Sequence, residues 1–190
     1  MLRLYGEPRS RAFRCIWMLE EMGVDYEVIP TRWASGETRE PAFLAINPNG
    51  KIPLLMDDER TVWESLAINL YLARMFEGVM KPDSAEAIGL AYRWSFWAMG
   101  EFEGPIDAVA RYGTQLPDGR ARPPLSVLDG ALADSEWLAG EAFGVADLNV
   151  AGVMLILQMI QFDLSGFSHI TDWTARCYDR DALKKAQALS

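Results

Sequence analysis

NPNGKIPLLMDDERTVWES (residues 47–65) places a turn, a proline beside a strand, a hairpin and an acidic helix start in one short stretch. Asn47-Pro48-Asn49-Gly50 is dense in turn formers, because Gly and Asn tolerate positive φ and Pro fixes its own. Ile52, Leu54 and Leu55 begin an apolar strand, with Pro53 inside the run. A proline donates no ladder hydrogen bond, so it belongs at an edge, a bulge or a cis turn. Asp57-Asp58-Glu59-Arg60 closes a hairpin onto Thr61-Val62-Trp63. Glu64-Ser65 then opens a helix, to which Leu66, Ile68, Leu70, Tyr71, Leu72 and Met75 give an apolar face.

The chemical sense of this layout concerns anions and exposed backbone. Pro53 leaves neighbouring backbone groups without sheet partners, and an extended peptide could pair there instead. Glu64 and Ser65 combine a carboxylate, a hydroxyl and several orphan N–H donors at a helix start. Such a corner suits an amino-acid head group, with its carboxylate on the donors and its ammonium on Glu64. A hairpin followed by an acidic cap accounts for the same residues, so the chemistry alone leaves both readings open.

The pattern N-P-x-G-K-[IV]-P-x-L, followed by E-S-x-A-I-x-x-Y-L, resembles the N-terminal domain of the glutathione transferases. The chain supplies Asn47, Pro48, Gly50, Lys51, Ile52, Pro53 and Leu55, then Glu64, Ser65, Ala67, Ile68, Tyr71 and Leu72. A second, independent motif lies far downstream, where Trp137-Leu138-Ala139-Gly140, Phe143 and Ala146-Asp147 resemble the same family's C-terminal domain. Gly144 stands where that family usually has Ser or Thr. The hydroxyl half of a capping box is therefore missing, at a cost of only a few tenths of a kcal/mol.

The elements read along the chain agree with this resemblance. Residues 2–5 form a short strand, residues 11–22 a helix with Phe13, Ile16, Trp17 and Leu19 inward, and Gly23 its C′ residue. Residues 26–30 form a second strand, and a helix between two strands makes parallel pairing the default. A short helix over 40–45 precedes the turn and hairpin. The order βαβαββα matches a thioredoxin-like architecture, and the resemblance implies that Pro53 is its cis-proline. Residues 78–84 read as a linker, so the expected domains are 1–77, glutathione-binding, and 85–190, all helical. Within the second, helices are expected over 85–98, 106–112 and 124–135, with a break at Gly104-Pro105 and a loop over 113–124. With Gly144 as N-cap of a central helix, Phe143 and Leu148 form a hydrophobic staple and Asp147 reaches back to the Gly144 N–H.

Composition narrows the function classes. The 190 residues are half hydrophobic and about a quarter charged, with seven Trp and a formal charge of −9. Acidity of that size argues against a nucleic-acid partner, which wants a basic face. The longest apolar tract, residues 148–162, contains Asn149, Gln158 and Gln161 and falls short of the ~20 residues that span a bilayer. It reads as a buried central helix, and no membrane partner is expected. The N-terminal residues read as a strand rather than an apolar leader. Cys15 and Cys177 form no CxxC or metal spacing and read as reduced, buried thiols of a cytoplasmic protein. No metal is expected.

A glutathione transferase must turn a thiol into a thiolate near neutral pH. An ordinary thiol near pKa ~8.5 is only a few per cent ionised at pH 7. Lowering that value by ~2 takes about 2.7 kcal/mol of preferential thiolate binding. One hydrogen bond to a charged acceptor supplies roughly 1.5–3 kcal/mol, and a helix N-terminus adds about 0.3–1. Ser10, read as the N-cap of the first helix, is the candidate donor. The pattern Y-G-x-P-x-S-x-x-x-R resembles serine-type transferases such as the phi class, whose serine donates to the glutathione sulfur. Ser10 could equally cap its own helix. Tyr5 is the alternative donor, because other classes use a tyrosine near the end of the first strand. Cys15 falls inside the helix and reads as core.

The resemblance further implies that Glu64 and Ser65 take the γ-glutamyl group and that Ile52, beside Pro53, pairs with the cysteinyl backbone. Lys51, Arg39 and Thr38 would face the glycyl carboxylate, although Lys51 and Arg39 also read as solvated charges. Arg11 and Arg14 read as solvated or dimer-facing, and His169 as a surface or capping residue. The second substrate, a small hydrophobic electrophile, would meet Trp94, Trp97, Phe96, Met99 and the 113–124 loop, although Trp and Met at helical spacing more often form core. A cytoplasmic, homodimeric detoxification enzyme with glutathione as co-substrate is the implied whole. The rival is a non-catalytic ligand carrier or protein-contact module on the same fold. A glutathione-dependent isomerase would carry a serine-rich N-terminal motif that this chain lacks.

Overall fold

A computed structural model of the chain describes residues 1–105 and 121–189. The helix expected over 106–112 and the loop expected from 113 up to residue 120 lie outside the described residues. Four strands, β1 (Leu2–Gly6), β2 (Tyr26–Pro30), β3 (Leu54–Asp57) and β4 (Arg60–Trp63), form one mixed sheet in the order β2-β1-β3-β4. β1 and β2 pair in parallel, as the helix between them leads one to expect, and β3 runs antiparallel to both β1 and β4. Leu4, Leu54 and Leu55 are fully buried at the centre of this sheet.

Helix α1 (Ala12–Met22) buries Ile16, Trp17, Met18 and Leu19 completely. It ends at Gly23, whose φ of 62° and ψ of 32° are left-handed and whose N–H bonds to the Leu19 and Glu20 carbonyls. Phe13, expected inward, is only half-buried, and Arg14 takes an inner position instead. A 3₁₀ turn (Glu37–Arg39) leads into α2 (Pro41–Ile46). Pro53 stands ahead of β3, not inside a strand: the ladders begin at Leu54, opposite Tyr5 and Trp63. The reason is chemical, since a residue without N–H cannot extend the ladder. The Ile52–Pro53 peptide bond is cis. The hairpin closes through Asp58-Glu59, with Asp58 at φ 51° and its carboxylate bonded to the Met1 amino group at 2.8 Å. On α3 (Ser65–Met75) the inner face is Ser65, Leu66, Ile68, Asn69, Leu72 and Ala73, whereas Met75, expected inside, is half exposed.

Among the described residues the chain continues as α4 (Ala85–Trp97), α5 (Arg122–Ala133), α6 (Val145–Met159), α7 (Ser168–Tyr178) and α8 (Asp181–Ala188). Ser84 caps α4 by accepting the Ala87 N–H at 3.0 Å. The departure from α-geometry expected at Gly104-Pro105 comes earlier, as a π turn over Ala98–Phe102. α5 begins at Arg122 rather than at residue 124, because a proline in the first turn forfeits no helical hydrogen bond.

Contacts divide the chain into Met1–Met80 with the segment from Arg180 onward, and Lys81–Asp179. The expected boundary assigned the whole tail to the helical part; its last helix instead packs on α1. Leu183 and Ala186 form the buried face of α8. Arg180 donates to both carboxylate oxygens of Glu21 at 2.6 and 2.8 Å, and the Trp17 indole N–H adds a bond at 3.0 Å. Glu21 is a buried carboxylate, so this fork fixes where the tail attaches.

In the second unit Asp147 organises the centre. Its carboxylate accepts from the Gly144 N–H at 3.2 Å, as the sequence indicates, and also from the Leu138 N–H at 3.0 Å and the Trp173 indole at 2.9 Å. Burial pushes the Asp147 carboxyl up to about 6 in spite of those donors. The folded chain therefore holds this proton where the unfolded chain, near 3.8, has released it. The stabilisation this confers is complete below about pH 4 and is lost as pH rises through about 6, an effect of roughly 3 kcal/mol. Urea unfolding of the wild type and of Asp147→Asn, compared at pH 4 and pH 7, should show the wild type losing about that much relative to the variant. A difference between the two that does not change with pH would contradict it.

Candidate functional site

The first unit collects nearly every residue singled out for the thiol substrate. After β1 the chain turns through Glu7-Pro8-Arg9 to Ser10. Ser10 lies one residue ahead of the true cap: the helix starts at Ala12, and Arg11, with helical φ and ψ, occupies the cap position. The first turn is tight, with the Phe13 N–H on the Ser10 carbonyl at 3.0 Å. The half-buried Ser10 hydroxyl donates to the Glu7 carbonyl at 2.7 Å and accepts from the Ala12 N–H at 3.1 Å. It thus performs local capping, and its single proton rests on a carbonyl of its own loop.

Tyr5, the alternative donor, sits within β1 opposite Ile29 and Leu54. Its ring meets Phe43 edge-on, with centroids 6.4 Å apart. Cys15 is fully buried and donates its thiol to the Ser65 carbonyl at 3.5 Å. Burial raises the Cys15 thiol far above the ordinary range, which keeps it protonated and unreactive.

The turn before the cis-proline is held by Asn47. Its side chain is buried, donates to the Lys51 carbonyl at 2.7 Å and accepts from the Asn49 N–H at 3.1 Å. The Asn47 carbonyl also takes the Gly50 N–H at 2.9 Å. Gly50 has φ 58°, and a Cβ there would lie 2.8 Å from the Thr38 carbonyl and 2.9 Å from an Arg39 guanidinium nitrogen. Thr38 is buried behind this turn. Arg39, far back in sequence, is therefore brought beside the turn that carries Lys51. Both side chains are exposed, and among the described residues no carboxylate pairs with either.

At the start of α3, Glu64 occupies the cap with φ 72° and ψ 116°. A glutamate at positive φ is uncommon, and such conformations gather at functional sites. Its carboxylate is exposed and has no partner among the described residues. Ser65, the first helical residue, is 2% exposed, and its hydroxyl accepts from an Arg14 guanidinium nitrogen at 3.4 Å. Arg14 is thus neither solvated nor surface-facing; it is 3% exposed and joins the first turn of α1 to that of α3. Arg11 is exposed, as expected. Two buried polar neighbours of these residues were not read as inner positions from sequence. The Arg of Y-G-x-P-x-S-x-x-x-R and the first Asn of N-P-x-G were both visible signals, but inner orientation does not follow from spacing alone.

The residues proposed for the second substrate belong to the helical unit. Trp94 is buried and meets Trp97 edge-on at 5.2 Å, and Trp97 stacks on Phe102 at the same separation. Met99 is half-buried in the π turn, and Phe96 is 72% exposed. His169 is exposed near the start of α7. Among the described residues no three His, Cys, Asp or Glu side chains converge on a metal-sized space, and no helix is long and apolar enough to cross a membrane.

Gly50→Ala tests the turn directly. The variant must accept a left-handed alanine and push back the Thr38 carbonyl, so stability should fall by about 2 kcal/mol or more. Urea unfolding reads this, and an unchanged midpoint would count against the close approach.

The family profile "Glutathione S-transferase, N-terminal domain" matches residues 1–74, and "Glutathione S-transferase, C-terminal domain" matches residues 118–181. Glutathione S-transferase 3 of Zea mays is 34% identical over 173 residues, covering 79% of this chain and 75% of that protein. Glutathione S-transferase GstB of Escherichia coli is 28% identical, with 97% of each chain covered. The crystal structure of a theta class glutathione S-transferase from Xanthomonas axonopodis pv. citri with glutathione bound superposes with a TM-score of 0.85, at 27% identity over 97% of this chain and 96% of that one. The architecture expected from sequence, a thioredoxin-like domain followed by an all-helical domain, is the one these proteins share.

Proposed function

The chain belongs to the glutathione S-transferase family, a family of transferases, and on that premise we propose that it activates the glutathione thiol through Ser10 for attack on an electrophilic, largely apolar second substrate. The observation that carries this reading is the Ser10 hydroxyl just ahead of α1, in the unit where Arg14 and Ser65 join the first turn of α1 to that of α3. Two helix starts that favour negative charge then lie within one unit. Around them, Arg39, Lys51 and Glu64 offer charges that no described residue neutralises.

In the proposed pose the γ-glutamyl carboxylate rests at Ser65 and the ammonium on Glu64. The cysteinyl backbone pairs with Ile52 beside Pro53, and the glycyl carboxylate faces Lys51 and Arg39. Ser10 turns its O–H from the Glu7 carbonyl to the sulfur while keeping the Ala12 bond. The thiol gives its proton to solvent, and the thiolate electron pair forms a C–S bond. At an aryl halide, halide leaves with the electrons of the broken bond. Exchanging a neutral acceptor for a charged one is what makes the rotation favourable. Trp94, Trp97 and Met99 are proposed to line the apolar second site.

A second reading has one observation in its favour. The Ser10 hydroxyl oxygen lies 2.7 Å from the Glu7 carbonyl, so its proton already has an acceptor without any thiolate. A protein that binds glutathione without turnover would keep that bond. Ser10→Ala separates the two. It should keep glutathione affinity, lose about 10- to 100-fold in kcat/KM for conjugation of an aryl halide, and raise the bound thiol's apparent pKa by about 1–2 in an ultraviolet titration. Unchanged turnover would move the role to Tyr5 or to backbone donors, and a wild type that binds without turning over would favour the carrier.

A cytoplasmic detoxification enzyme working as a homodimer fits the same proposal. Tyr92 and Phe96, 47% and 72% exposed, stand one turn apart on α4 and are the apolar pair proposed to meet a second copy. Sedimentation should give a dimer for the wild type and a monomer for Phe96→Glu. A monomeric wild type would refute the dimer.

A further inference from the structure

We propose that Arg14 is the positioning residue of the γ-glutamyl corner, acting through Ser65 on the substrate carboxylate. The inference rests on the glutathione reading above and adds a residue that no motif assigns to ligand binding. Arg14 lies in the first turn of α1, 3% exposed, with a guanidinium nitrogen 3.4 Å from Ser65 Oγ. Its backbone carbonyl takes the side-chain N–H of Asn69 at 3.3 Å, one turn further along α3. Cys15, the next residue, bonds the Ser65 carbonyl. Ser65 is therefore held by consecutive residues of α1, one on its hydroxyl and one on its backbone.

The direction of the hydroxyl proton follows from this. A serine oxygen that accepts from a guanidinium still has one proton to donate. No described residue takes that proton from Ser65. Arginine is always charged and cannot accept, so the bond fixes the oxygen as acceptor toward Arg14 and leaves the O–H for a different acceptor. Ser65 opens α3, and the exposed Glu64 at its cap is the proposed ammonium position. The polarised hydroxyl and the helix end together select a carboxylate. Arg14 need not touch the ligand; its charge and its bond to Oγ set the orientation of the group that does.

Isothermal titration calorimetry on the full chain tests this with two ligands. One is glutathione, and the other is γ-aminobutyryl-cysteinylglycine, the same tripeptide without the γ-glutamyl carboxylate. Arg14→Met should weaken glutathione about 10-fold or more and Arg14→Lys less, while both variants bind the truncated ligand as the wild type does. In Arg14→Lys combined with Ser65→Ala, the loss should equal that of Ser65→Ala alone. Equal weakening of both ligands would reduce Arg14 to packing and overturn the proposal, as would full glutathione affinity in Arg14→Met. If the Met variant does not fold, the Lys and Ser65 cycle decides, and additive losses there refute coupling. A wild type that binds neither ligand sinks the glutathione reading itself; one that binds both equally sinks only this inference.

Discussion

Asn47 is buried, and its side-chain amide engages the backbone within and just after its own turn, accepting from Asn49 and donating to Lys51. This clamp sets the path of everything that follows. With the turn closed, Gly50 lies flat against Thr38 and the Arg39 guanidinium, and the chain reaches Ile52-Pro53 before the ladder starts at Leu54. Register then fixes the rest. Leu54 opposite Tyr5 and Trp63 determines where the hairpin closes, and the hairpin delivers Glu64-Ser65 to the head of α3. A surface asparagine could slip without consequence, whereas a buried amide whose partners are backbone groups cannot move without leaving polar groups unsatisfied.

Much of this was legible in the sequence because the signals were local. Gly23 after an apolar-faced segment announces a C′ cap, Asp57-Asp58-Glu59-Arg60 announces a hairpin, and Phe143 with Asp147 frames a helix start. What escaped involved partners far apart in the chain. Arg14 looks like any surface arginine until α3 is laid across it, and Asp147 shows one of its three bonds locally while Leu138 and Trp173 supply the others. The tail helix is the same case. Nothing near Arg180 says that Glu21, 159 residues away, is the carboxylate it forks onto.

Element edges moved for a different reason. The first helix starts one residue later than its pattern suggests, because Ser10 uses its hydroxyl and carbonyl in the turn that precedes the helix. Proline shifted two further edges in opposite directions. Pro53 delays its strand to Leu54, whereas a proline in the first turn of α5 allows that helix to begin at Arg122. In both cases the missing N–H is the cause, costly in a ladder and harmless at a helix start.

Ser10 carries the sharpest tension in the molecule. A hydroxyl has one proton, and here that proton sits on the Glu7 carbonyl while the oxygen accepts the Ala12 N–H. The Ala12 bond opposes nothing, since a serine that accepts from the helix start becomes a better donor elsewhere. In the role proposed for Ser10, the Glu7 bond is the one that must yield. A neutral carbonyl acceptor is weaker than a thiolate by roughly a factor of two, so an arriving charge outcompetes it and a neutral thiol does not. The same contact that stabilises the loop would therefore act as a filter, releasing the Ser10 proton only to an acceptor that has already become an anion.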